Sequence, residues 1–532
     1  MSQVNMKKII STTWLLPLAI AALALVLPST ANAAAPGITG PTFNLVASPS
    51  YISEPDGQSV YSWGYGCNGA PTGFAPKPKG VDLANAACST MQIPGPTLIV
   101  HENDNVTVQL TNNLPSSAGN TSILFPGFKV TATGGVTGLL TQEAAPAGTV
   151  TYTFTATTPG THSYYSGTQS DLQVEMGMYG AVIVLPANVP GACTSGLAVS
   201  NLAAQANWGE SDFRLSPAAY DHAKTCYDRE YLFQFSEIDP AIHSNALAQV
   251  TAVGSCTAGA NGCSLNVPTE PYHPAYFMIN GRSMPDDMDP NYAQEYPHQP
   301  YNGNPHMHPG EQVLLRIVGQ GRWQHPFHEH GNHVRILGRD GNLILSETDP
   351  NSLAGPLLFT TTTTPGVAMD GIFYWTGKGL NWDPYGHNSS SSDPNAKLPC
   401  TPDANGYNTG APTAVNYYEW CQDHNKPLQA APFGDVANGG PVTLPDPNIF
   451  TNGTWYGGSP YLGPSATIRA VGSNGTTPPS GTIGNSPSGE AGFAFMWHSH
   501  NEREITTNNA FPGGMMMMML VDSREFVIDE SN

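Results

Sequence analysis

Positive charge is scarce in this chain: 19 Lys and Arg face 40 Asp and Glu, a formal charge of −21 over 532 residues. A surface of that sign repels nucleic acid and anionic membranes and favours cations, so no nucleic-acid partner is expected, whereas a metal cation is a permitted one. Solubility of an exported protein accounts for the same balance without any ligand. Long helical periodicities are few, and no CxxC pair or Cys-His spacing of the zinc type occurs, which weakens a cysteine-based metal site. After Trp14 to Leu27, no apolar run approaches the length that spans a bilayer.

That first apolar run reads as an address. Lys7 and Lys8 precede it and Ala31-Asn32-Ala33 follows as an A-x-A cleavage site, so residues 1–33 are expected to be a signal peptide. Pro17 and Pro28 argue against a permanent span. The mature protein is then exported, periplasmic or extracellular, with no stable membrane span after cleavage. All 8 cysteines lie beyond the signal, an even number in an oxidising compartment, so disulfides are expected. Neighbours in sequence suggest Cys67 with Cys88, Cys193 with Cys226, Cys256 with Cys263 and Cys400 with Cys421, although sequence alone does not fix connectivity.

What is abundant is Gly (56) and Pro (48), together with Thr and Asn, which points to an all-β chain joined by irregular loops. Ile93 to Asn113 alternates apolar and polar residues with period two, as a strand does. An internal repeat relates the two ends. Gly310 to Leu315 matches Asp104 to Val108, Thr360 to Trp375 matches Ala145 to Phe154, and FMWHSHNE with GGMMMMMLV matches HSYYSG with GMYGAVIV. Two domains are therefore expected, at residues 34–190 and 227–532, with a linker at 191–226. A stretch rich in Gly, Pro, Ser and Asn, residues 377–489, interrupts the second. It shows no sustained period, and a loop of that length is expected to pack as a disulfide-tied lid or edge, with a degenerate third domain as the alternative.

Two short runs carry the chemistry. Trp323 to His333 reads WQHPFHEHGNH and Met496 to His500 reads MWHSH. His328 with His330, and His498 with His500, sit two positions apart, which on a strand points both imidazoles of a pair to one face. Imidazole is the commonest protein ligand for copper and zinc. These runs, with the Gly-Gly-Met run after the second and the PGPTLIV…DNVTVQLTN stretch beginning at Pro94, resemble the multicopper oxidases. The resemblance implies two Greek-key cupredoxin β-sandwich domains, copper as cofactor and an oxidoreductase family. It also implies roles, with His325 at the type 1 (blue) copper and His328, His330, His498 and His500 in the trinuclear cluster. The chain departs from the family pattern in four places. Ser499 stands where the type 1 cysteine belongs, Glu504 replaces a histidine, and Leu124-Phe125-Pro126-Gly127 and YYSGTQSDLQ replace the first-domain copper histidines. A serine hydroxyl cannot serve as the thiolate that gives a blue site its colour and electron uptake, so the ordinary oxidase mechanism is not expected.

Three functions stay open. The first is a residual mononuclear copper or zinc site built from the four histidines; in the family they serve different coppers, so the cluster would have to contract around one ion. The second is a metal-free cupredoxin scaffold for a protein partner, its histidines satisfied by hydrogen bonds. The third is an oxidoreductase with altered metal chemistry in which Glu502 or Glu504 acts as acid or base, although a salt bridge, for instance to Arg503, is the commoner role. Weaker metal candidates are His325, His306 and His308, the last two beside Pro305 and Pro309 and so expected in a loop. His333 is a candidate to orient a ligand, and His162 reads as a structural residue. Met515 to Met519 suits cuprous ions through its thioethers, while alternation on a closing strand would bury every other Met in the core.

Overall fold

Strands of alternating polarity pair into four large sheets, and these stack as two β-sandwiches. The computed structural model describes residues 35–75, 88–378, 400–414, 416–422, 458–461, 492–522, 524 and 527–528. The expected signal peptide and most of 377–489 lie outside the described residues.

In the first sandwich one sheet runs Gly160–Tyr165, Tyr179–Leu185, Leu98–His101, Gly37–Thr39, Phe74–Ala75. The facing sheet runs Ser59–Cys67, Thr42–Ser53, Asn105–Asn112, Thr149–Thr155, Thr131–Gly134. The Asn105–Asn112 strand shows what fixes the packing. Val106, Val108 and Leu110 are buried while Asn105 and Gln109 are exposed, so a slip of one residue would turn its apolar set to water.

The second sandwich repeats this wiring. Its first sheet runs Tyr276–Ile279, Arg229–Ile238, Gln312–Gly319, Ala368–Tyr374, Val334–Arg339. Arg229–Ile238 is parallel to Gln312–Gly319, just as Thr42–Ser53 is parallel to Asn105–Asn112. The sequence repeat thus becomes a shared topology, with Ala368–Tyr374 in the place of Thr149–Thr155. The other sheet runs His306–Met307, Met516–Asp522, Gly492–Ser499, His325–Glu329, Thr360–Thr363. The fold is all-β, with two cupredoxin-type Greek-key sandwiches.

Helices are few but they join the parts. In Pro240–Val253, Asp239 accepts a hydrogen bond from Ala241 N and Pro240 takes the first helical position, both ordinary start signals. Its Ile242 and Ala246 enter the first sandwich's core. Residues 191–226, read as a linker, contain the helix Leu197–Asn207. Asn201 and Gln205 bond to Asp228 and Glu311 and so fasten that segment to the second sandwich. Between sandwiches, Asp370 accepts hydrogen bonds from Thr161 N, Thr161 Oγ1 and Tyr220 OH at 2.9, 2.6 and 2.6 Å.

The cysteines pair as their sequence neighbours suggested: Cys67–Cys88, Cys193–Cys226, Cys256–Cys263 and Cys400–Cys421. Inside the long insertion, Gly458–Tyr461 adds a strand alongside Gly492–Ser499. Four residues with a central proline carry no period-two signature, which is why sequence reasoning read only loop there.

Candidate functional site

Phe327 and Trp497 point into the second sandwich's core, so His328 and His498, one position along each strand, turn to the opposite face of the sheet. The register sets His328 directly opposite His498. Ring centroids lie 4.8 Å apart for His328 and His330, 4.8 Å for His328 and His500, 5.2 Å for His330 and His498, and 5.5 Å for His328 and His498. The Nε2 atoms of His330 and His498 are 3.3 Å apart. Gly331 ends the first run at φ 99°, where an added Cβ would meet the Phe495 ring at 3.0 Å. Glycine fits that turn and that close approach.

The same surroundings prepare the rings electrically. His498 Nδ1 donates to the Ser499 carbonyl at 2.7 Å, which leaves the lone pair on Nε2. His328 Nδ1 lies 2.6 Å from Thr360 Oγ1. Burial, then the nearby His330, His498 and His500, push His328 down to about 3. Burial lowers His498 as well. Both rings are therefore neutral at neutral pH, the form that binds metal. A convergent, nitrogen-only donor set fits a copper or zinc ion.

The position that the resemblance assigns to a type 1 copper is built differently. His325 is fully buried, with Nε2 2.9 Å from Glu237 Oε2 and Nδ1 2.9 Å from Glu504 Oε2. Burial works against a charged ring, but the hydrogen bonds and charges of the two carboxylates outweigh it and hold His325 up at about 9. With both nitrogens donating, His325 has no lone pair for a metal. Ser499 Oγ donates to the same Glu504 oxygen, and Asn501 Nδ2 donates to the other at 2.8 Å. Glu237 Oε1 accepts from Arg322 N, Trp323 N and Tyr272 OH at 2.7, 2.8 and 3.1 Å. Serine, glutamate and an imidazolium do not fit a type 1 copper.

Other candidates fall elsewhere. Glu504 is buried in that network, whereas Glu502 is exposed and its charge acts on His498. His306, expected in a loop, lies in a two-residue strand, with Nδ1 2.6 Å from Asp522 Oδ2. His308 Nδ1 donates to the Asp522 carbonyl at 2.9 Å, and its Nε2 is 2.7 Å from Glu210 Oε1. Glu210, His308 and Glu311 bring ligand atoms within 4.8 Å of one another, but Arg229 bridges both carboxylates. That arrangement is an ion-pair network. His333 packs on Phe359, which also touches the His328 ring. His162 is buried against Phe128, with Nε2 bonded to the Thr158 carbonyl. In the first sandwich, Leu124 bridges to Tyr165 and Phe125 packs among Tyr152, Phe154 and Tyr164, so packing fills the place of the missing ligands.

Sequence reasoning missed Glu237 and Arg229. The available signal was three charged residues, Arg229, Glu230 and Glu237, among the apolar ones of Arg229–Ile238, a strand that is buried along its whole length, where an unpaired charge is too costly to keep.

Residues 77–189 match the multicopper oxidase family. Laccase-1 of Emericella nidulans is 35% identical over 119 residues, which cover 21% of this chain and 17% of that protein. Laccase abr2 of Aspergillus fumigatus is 36% identical over 98 residues, which cover 18% and 16%. The matches span about a sixth of the length of these relatives. Among solved structures, multicopper oxidase mgLAC aligns at TM-score 0.44 and 15% identity over 92% of this chain and 87% of that one. A blue copper oxidase from Nitrosomonas europaea aligns at 0.43 and 15%, over 90% and 85%. Over residues 77–189 the chain is thus similar to the multicopper oxidases, and it carries Ser499 at the position where that resemblance expects the type 1 cysteine.

Proposed function

We propose that this is an exported copper protein in which His328, His330, His498 and His500 hold one metal ion and from which blue-copper electron entry has been lost. The observation that carries the reading is the convergence of the four rings across paired strands, with the Nε2 atoms of His330 and His498 at 3.3 Å. Thr360 and the Ser499 carbonyl orient two of the rings by their Nδ1 atoms. Nitrogen ligation alone would also accept zinc; resemblance to a copper family favours copper. A bound copper ion would supply Lewis-acid or one-electron chemistry on that face. Export rests on the signal-like residues 1–33 and on the disulfides.

Elemental analysis of the mature protein and metal-dependent thermal unfolding test this. Metal at about a hundred times its Kd stabilises a one-site protein by about 2.7 kcal/mol. The wild type should show that gain and the His328→Ala, His498→Ala double variant should not, while both stay folded without metal. Equal stabilisation of the two proteins would sink the site and leave a metal-free scaffold.

A further inference from the structure

The sheet face that carries the quartet continues into a patch of sulfur. Across the pairing of Gly492–Ser499 with Met516–Asp522, His498 stands opposite Met516 and Met496 opposite Met518. On the other side, Phe327 pairs with Ser499, His328 with His498 and Glu329 with Trp497, and His330 follows one residue past the end of that strand. Since Trp497, Met517 and Met519 face the core, their neighbours Met496, Met516 and Met518 share the outer face with the histidines. One row results, His328, His498, Met516, with the pair Met496 and Met518 next to it on the same face. Side chains directly opposite on paired strands have Cβ atoms about 4.5–5.5 Å apart, and the flexible thioether arm closes that gap readily.

The two sets of methionines differ in their surroundings. Met515, Met517 and Met519 are fully buried members of the apolar core. Met516 is only 4% exposed, yet it belongs to none of the apolar clusters formed by the described residues, and Met496 and Met518 are half-buried. Among the described residues, core packing therefore accounts for the inward set and not for the outward one. All 8 cysteines of the chain are in disulfides, so no thiolate competes for a soft ion. Thioethers select cuprous copper over the harder divalent ions.

We propose that Met496, Met516 and Met518 form a binding site for a cuprous ion beside the histidine quartet, distinct from it in the charge state of copper that it takes. The site stands whether or not the quartet holds a divalent ion.

The test is an anaerobic cuprous titration of the mature protein against a competing chromophoric chelator, with Ag(I) as a redox-inert second probe. Met496→Leu, Met516→Leu and Met518→Leu together conserve volume and should remove one tight equivalent of Cu(I) and Ag(I), weakening it at least tenfold. The inward triple, Met515→Leu, Met517→Leu and Met519→Leu, should keep that equivalent. So should the His328→Ala, His498→Ala variant, which lacks two quartet imidazoles but no thioether and thereby separates failure of the quartet from failure of the thioether site. Met518→Leu alone, at a half-buried position, covers the case in which a triple variant misfolds, and should weaken the same equivalent at least threefold. Unchanged cuprous affinity in the outward variants, or equal losses in the outward and inward triples, would overturn the proposal.

Discussion

The charge on His325 gives the most direct check on the converted type 1 position. Its value of about 9, against an ordinary 6.5, arises because Glu237 and Glu504 hold the imidazolium from both sides. A group raised in the folded state contributes stability that is fully present below its unfolded value and lost as pH rises through its folded one. The window is therefore pH 6.5 to 9, and the gap corresponds to about 3 kcal/mol. The comparison protein is His325→Gln with Glu504→Gln, which removes the cation and one carboxylate together. Glu237 retains its bonds from Arg322 N, Trp323 N and Tyr272 OH in that variant. Urea unfolding of both metal-free proteins from pH 6 to pH 10 should show the wild type losing about 3 kcal/mol relative to the variant across that window. Parallel stability curves would mean that His325 is not charged in the fold. Other buried groups, such as Glu329, pushed up to about 8 by burial, affect both proteins alike and cancel in the difference.

Copper-loaded protein should show no intense thiolate-to-copper band, because Ser499 offers a hydroxyl already committed to Glu504; an intense blue absorption in the visible spectrum of the loaded protein would contradict this. Replacing Arg229 by Leu should cost about 3–5 kcal/mol, since it strands the buried carboxylates of Glu210 and Glu311. Burial opposes ionisation of Glu311, yet Arg229 with His308 and Arg524 holds it down at about 2, and a loss under 1 kcal/mol on urea unfolding would show that the network is not held by that cation.

Much of the architecture was legible because the signals were periodic. The alternation in Asn105–Asn112 and the repeat linking it to Gln312–Gly319 follow from side chains that must choose a face, and the fold obeys that choice. The two histidine pairs were legible for the same reason: two positions apart on a strand is one face. Two features had no such signal. The register of Gly492–Ser499 against Met516–Asp522 decides that Met496 stands opposite Met518 and His498 opposite Met516, and no local pattern encodes it. Nor could Glu237, 88 positions from His325, announce itself as the partner. A buried carboxylate acquires meaning only when the fold brings its counter-charge to it.

That counter-charge also bears on the proposed metal site. His325 lies on the strand that carries His328, and Glu504 follows the strand that carries His498, just past whose end His500 lies. The bond from His325 Nδ1 to Glu504, together with the bond from Ser499 Oγ to the same oxygen, ties the two strands from the side opposite the quartet. In a type 1 site a metal bridges these positions; here a protonated imidazole bridges them and needs no ion to do so. The quartet's strands can therefore keep their register in the metal-free protein, and binding at the outer face need not pay the cost of assembling the sheet. This is why the His328→Ala, His498→Ala variant is expected to lose metal and retain its fold, whereas the His325→Gln, Glu504→Gln variant loosens the support beneath the ligands and should weaken metal binding without touching a single ligand atom.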